Sequence, residues 1–204
     1  MYTGIKVPFP EFKWRWATFA PTENLNEPRV YFGVLRALHA SNGEAPSSVS
    51  LLESLQEISF ELSEHIEKMP TLVRNTERNL LRNSQQYWSG LGLLDRTQPV
   101  IKLTDFGMEV AEGRITAAEF AAQTILNLKL PNSKLEDISV IKKWQEYGLE
   151  IKPLSLLLSI IAELWGRNPD QAYLTSEEVF KAIIPLSSLK IATSAQYAEH
   201  VLAL

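Results

Sequence analysis

The sequence predicts a mainly α-helical fold with one small β-hairpin, arranged as two tandem helical units of which the second lacks its hairpin. Three observations predict this. Apolar residues recur at helical spacing through most of the 204 residues. Residues 89–103 break that period, with small residues followed by two short apolar runs bounded by turn formers. A helix–helix–helix order occurs twice, on either side of a polar connector at 131–152.

Residues 1–28 read as an N-terminal arm, rich in proline and aromatics and without a usable period. Its centre, Phe12-Lys13-Trp14-Arg15-Trp16, interleaves basic and aromatic side chains. Such an arm can lie along a phosphate backbone through Lys13 and Arg15, or stack on bases. The alternative is that Trp14 and Trp16 staple it to the core, since tryptophan buries most of its area, while the cations face water.

A first helix starts after Asn26-Glu27, with Pro28 in the first turn, where its missing N–H is harmless. Val30, Phe32, Val34, Leu35 and Leu38 form its apolar face, and Ser41-Asn42-Gly43 stops it. A second helix is expected over 49–66. Leu51, Leu52, Leu55, Ile58, Phe60 and Leu62 give it an apolar side, and glutamates cover the outside. Pro70 interrupts before a third helix.

On that third helix, at about 100° per residue, Val73, Thr76, Leu80, Ser84 and Tyr87 share one side, flanked by Leu81 and Trp88. The other side carries Arg74, Asn75, Arg78, Asn79, Arg82, Gln85 and Gln86. Three guanidiniums and four amides occupy this arc, with no carboxylate. Their forked donors and acceptors match guanine and adenine edges in the major groove, whereas a merely solvated face mixes Glu with Lys. Glu77 falls near the apolar side, where it needs a partner.

Ser89-Gly90-Leu91-Gly92 then allows a close turn, and a first strand begins at Leu93-Leu94. Residues 95–99 form a tip carrying Arg96 and Gln98, and Val100-Ile101-Lys102-Leu103 returns as the second strand. Thr104 reads as a helix N-cap, with Gly107 tolerated for close packing. Three helices, a hairpin and a closing helix make the order of a winged helix-turn-helix domain, here spanning 29–130. Its last helix is expected over 116–130, opened by a Thr116/Glu119 capping box.

Beyond the connector, residues 153–204 restart the pattern. Pro153 opens a helix that Gly166-Arg167-Asn168-Pro169 ends. Thr175 and Glu178 form another capping box before Val179, Phe180, Ile183 and Ile184. A third helix starts near Thr193 or Ser194 and is expected still to run at Leu204. This half reads as a partial second winged helix, as in a fragment of a longer protein, or alternatively as a small helical dimerisation bundle.

The net charge of −4 is unevenly spread. Residues 41–69 hold six glutamates against Lys68, whereas 71–103 hold Arg74, Arg78, Arg82, Arg96 and Lys102 against Glu77 and Asp95. The positive block coincides with the candidate recognition helix and wing, and for nucleic-acid binding the distribution matters more than the sum. There is no cysteine, hence no disulfide framework or thiolate. The first residues lack the apolar core of a signal peptide. The longest apolar run, 154–164, is broken by Ser155, Ser159 and Glu163 and is too short to span a bilayer. The expectation is a cytoplasmic protein.

No catalytic or metal-binding residue is assigned. His39, His65 and His200 are too scattered for a nucleophilic triad, and no glycine-rich phosphate loop is present. Asp170, Glu177, Glu178 and Lys181 come nearest to a metal-dependent nuclease set. However, Glu178-Val179-Phe180-Lys181 has one residue more than the usual acidic-x-Lys pair, and the same residues serve as a helix cap.

Several stretches together resemble the DNA-recognition portions of restriction endonucleases, in particular type IIS enzymes of the FokI and AlwI kind. They are Trp14-Arg15-Trp16, the helix NEPRVYFGVLRAL, Arg82-Asn83 with Tyr87-Trp88-Ser89-Gly90-Leu91-Gly92-Leu93, and Leu103-Thr104-Asp105-Phe106-Gly107. The resemblance implies a bacterial phage-defence protein in which winged-helix units read the site and a separate nuclease domain cuts. The nuclease motif is absent here, so Mg²⁺ is expected only for that separate domain or subunit. On this reading Arg74, Asn75, Arg78, Asn79, Arg82, Gln85 and Gln86 enter the major groove of double-stranded DNA. Arg96, Gln98 and Lys102 touch phosphate or minor groove, and Lys13 and Arg15 add backbone contacts that position without reading sequence. The rival reading is a winged-helix protein-interaction or dimerisation module, or a transcription regulator without a nuclease partner. In that case the acidic second helix is the contact face.

Overall fold

Helices carry this fold, and most begin where a side chain satisfies their first free N–H groups. The computed structural model describes residues 6–15, 25, 27–64, 72, 87–95, 99–189 and 193–203. Helix α1 (Pro28–Ala40) starts at Glu27, whose carboxylate accepts from the Arg29 N–H. Ser48 caps α2 (Val49–Ser63) by accepting from the Leu51 N–H. Thr104 caps α3 (Asp105–Ala111), accepting from the Gly107 N–H at 3.0 Å. The expected Thr116/Glu119 box opens α4 (Ala117–Asn127): the Thr116 N–H donates to the Glu119 carboxylate at 2.9 Å, and the Glu119 N–H donates back at 3.2 Å.

Residues 131–152, expected as a connector, contain α5 (Ile138–Glu146). Proline opens α6 (Pro153–Arg167), and Asn168 closes it. A continuous run, α7, comprises Ser176–Glu178, a wide π-turn at Val179–Ile183, and Ile184–Leu186. The Thr175/Glu178 box caps it. In the π-turn the Ile184 N–H reaches back to the Val179 carbonyl. That wider turn lies just ahead of Pro185, whose ring in a regular α-helix would collide with the carbonyl four residues earlier. Thr193 and Gln196 form a third capping box before α8 (Ser194–Leu202). This last helix ends at Leu202 with Ala203 as its C-cap, short of the expected Leu204.

The chain divides into two compact units, Phe19–Ala121 and a split unit made of Met1–Thr18 with Ala122–Leu204. In the continuous unit, Val30, Val34, Leu35 and Leu38 of α1 meet Leu51 and Leu55 of α2, together with Leu72, Trp88, Leu93, Leu103, Val110 and Phe120. Tyr31 stacks on Trp88 with ring centroids 4.6 Å apart and on Phe120 at 5.9 Å. Phe60, expected on the apolar side of α2, is instead 69% exposed. The buried positions run Leu51, Leu55, Ser59, at i, i+4 and i+8, and the next residue is turned about 100° away. Ser59 tolerates burial because its hydroxyl donates to the Leu55 carbonyl at 2.9 Å.

The expected two-stranded wing is not seen: among the described residues there is no strand, and a single antiparallel bridge joins Leu94 to Leu103. The backbone explains the difference. Gly92, at φ +78°, ends the helical turn over 87–90, and the N–H groups of Leu93 and Leu94 both go to the Trp88 carbonyl, at 2.8 and 3.2 Å. On the return limb, the Ile101 N–H donates to Glu44 at 2.8 Å and its carbonyl accepts from Gly43 at 2.7 Å. The Leu103 N–H goes to Asn42 Oδ1 at 3.0 Å. The limb therefore divides its hydrogen bonds between residues 93–95 and the loop after α1. Residues 96–98, the expected tip, lie outside the described residues.

In the split unit, Trp14 is buried and donates from Nε1 to Ser187 Oγ at 3.0 Å. Phe9 and Phe12 pack on Trp144 of α5, with centroids 6.3 and 4.8 Å away. Ile160 and Leu164 of α6, Ala182 and Ile183 of α7, and Tyr197, Ala198 and Val201 of α8 complete this core. Leu130 and Ile151 exchange both backbone hydrogen bonds, at 2.8 and 2.9 Å, so the start and end of the expected connector are tied together. Among the described residues no helix is long and apolar enough to cross a membrane.

Candidate nucleic-acid interface

The candidate recognition residues Arg74, Asn75, Arg78, Asn79, Arg82, Gln85 and Gln86, with Glu77, lie outside the described residues, as do Arg96 and Gln98. Leu72 before this stretch, and Tyr87 and Trp88 after it, are described. Leu72 and Trp88 are both fully buried in the core of the continuous unit. Lys102 belongs to the same unit. Its neighbours Ile101 and Leu103 are buried, so backbone alternation turns the lysine outward into solvent. The backbone of Lys102 is held by the Asp95 N–H, which donates to its carbonyl at 2.8 Å.

Lys13 and Arg15 belong to the split unit. Lys13 is exposed, but Arg15 is not a free backbone-binding cation: its guanidinium lies 3.7 Å from Glu136 Oε2. The Glu136 side chain is almost fully buried, and Oε1 has no hydrogen-bond partner. Burial pushes this carboxyl above its ordinary 4.5, while Arg15 and then Lys13 draw it back down. Arg15 is therefore engaged with a buried carboxylate. Nothing local in the sequence signals this pairing, because Glu136 lies 121 positions from Arg15.

Two clefts were not signalled by the sequence. One, of about 540 Å³, runs along α1 and is lined by Arg29, Phe32, Gly33 and Arg36 with Ile58, Glu61 and Leu62 of α2 and Ile115. The second, of about 500 Å³, lies in the split unit beside Ser155, Ser159, Ser187 and Tyr197. Its serines are engaged in structure. Ser155 donates to the Ile125 carbonyl, Ser159 to that of Ser155, and Ser187 to that of Ile184 while accepting from Trp14. Burial raises the Tyr197 phenol to about 12, which keeps it neutral.

The residues nearest to a nuclease set have other partners. Glu178 completes the α7 capping box, and Glu177 pairs with Lys181. Among the described residues no group of three or more His, Asp or Glu could hold a metal ion. No protein family, curated protein or solved structure matches this chain.

Proposed function

We propose that this chain is a winged-helix module that recognises double-stranded DNA, serving a restriction or other phage-defence endonuclease whose nuclease site lies outside it. The observation that carries the reading is the anchoring of the arginine- and amide-rich stretch. Leu72 before it and Trp88 after it are buried in the core that also holds Leu103, beside the outward-facing Lys102. The order of α1, α2, the basic stretch, a close turn, a return limb and a Thr104-capped helix supports the reading, since it follows the winged-helix order apart from the missing hairpin.

In this role Arg82 makes a bidentate contact to guanine, worth about 1–3 kcal/mol of discrimination. The test is a fluorescence-anisotropy titration with random duplex at low and high salt, followed by selection of bound sequences from a random pool. Binding at low salt that salt weakens, and an Arg82→Ala loss confined to the selected sequence, are the expected results. No binding at low salt, or equal Arg82→Ala losses on selected and random duplex, would overturn the base-reading role.

A further inference from the structure

The groove along α1 and the outer ridge of α2 are complementary in charge and spacing. On α1, Arg29, Gly33 and Arg36 follow one another at intervals of four and three residues and all line the groove. On α2, Glu64, Phe60 and Glu57, read in the reverse direction, follow at the same intervals, and all three are exposed. Seven residues of helix put the outer charges of each trio about 10 Å apart. Among the described residues none of these four charges forms an ion pair.

We infer that the continuous unit pairs with a second copy of itself: the Phe60 ring of each copy enters the other's groove over Gly33, with Glu64 facing Arg29 and Glu57 facing Arg36. Gly33 is essential to the fit. Gly33 lines the groove between the two arginines and adds no side chain to it, and an added Cβ would lie 3.1 Å from Ile58, so α1 and α2 approach closely at this point. Phe32, Ile58, Leu62 and Ile115 supply the apolar walls for the ring. Glu61 stands in the same wall, so the groove is only modestly positive. The ring supplies the buried area, and the charges set the register. A Cβ on Gly33 would meet Ile58, so these two residues stand at about the same level of the helix pair, and a two-fold axis running beside and parallel to α2 brings each Phe60 close to the level of the other copy's Gly33.

The test is sedimentation equilibrium of the full chain over a concentration series, with circular dichroism to show that each variant folds. The wild type is expected to form a salt-sensitive dimer. Phe60→Ser, Arg36→Glu and Glu57→Arg each weaken it by roughly tenfold or more, and the double variant R36E/E57R regains most of the loss. A wild type that stays monomeric to about 1 mM overturns the inference. So does a dimer indifferent to all three substitutions, as one formed through the exposed Leu158 and Trp165 of α6 would be. A double variant no stronger than its single parents also overturns it. Because Phe60 is 69% exposed, its replacement leaves no cavity, and the charge-reversal pair tests the register independently of it.

Discussion

Glu136 is a carboxyl whose side chain is almost fully buried, with Arg15 of the arm beside it. Its charge is only partly repaid by Arg15, at 3.7 Å, and by the more distant Lys13. Because burial is the largest influence, the folded protein holds this proton more tightly than the unfolded chain does. Stability is therefore unaffected by the group below about its ordinary value of 4.5, and falls as pH rises through the window above it. Glu136→Gln removes that falling limb. Denaturant unfolding of the two proteins should give closely similar stabilities in acid and a Gln variant that is the more stable near neutrality. A wild type more stable than the variant near neutrality would mean that the Arg15 pair outweighs burial. Glu11, Glu44, Glu119 and Glu177 are shifted the other way by hydrogen bonds, so the difference between variants, not either curve alone, reports on Glu136.

At the scale of elements, α3 packs closely against the turn before it. A Cβ on Gly107 would stand 2.2 Å from the Leu93 carbonyl oxygen, which already accepts from the Thr104 N–H at 3.0 Å. Backbone cannot yield as a side chain can. Gly107→Ala should cost about 2–3 kcal/mol in urea unfolding. Helix starts were legible in the sequence because their signals are local. Thr104, Thr116, Thr175 and Thr193 each bond a group three residues on, and all four stand where expected. The wing was not legible, because its partners are remote: short apolar runs look like strands, but nothing in them says that Ile101 bonds to Gly43 and Glu44. Phe60 was misplaced for a similar reason. At a helix edge the apolar period tolerates a residue on either side of the boundary, and only packing decides.

For the molecule as a whole, the proposed function requires an acidic chain to concentrate its cations, and in the continuous unit Lys102 is a described candidate that stands in the open. If it contacts phosphate, Lys102→Ala should weaken every duplex alike and flatten the salt dependence by about one phosphate's worth. A loss confined to one sequence would instead make Lys102 a base reader. The burial of Trp14 was foreseeable from its chemistry, whereas the grouping of its arm with residues 122–204 was not, since composition carries no information about a partner 173 positions away. That grouping bears on synthesis. Residues 19–121 can close their own core as soon as they leave the ribosome. Phe9, Phe12 and Trp14, made earlier, must wait with their aromatic surface uncovered until α5 and then Ser187 have been translated. The first segment made is among the last to find its place, so chaperone capture during translation should centre on this short aromatic arm.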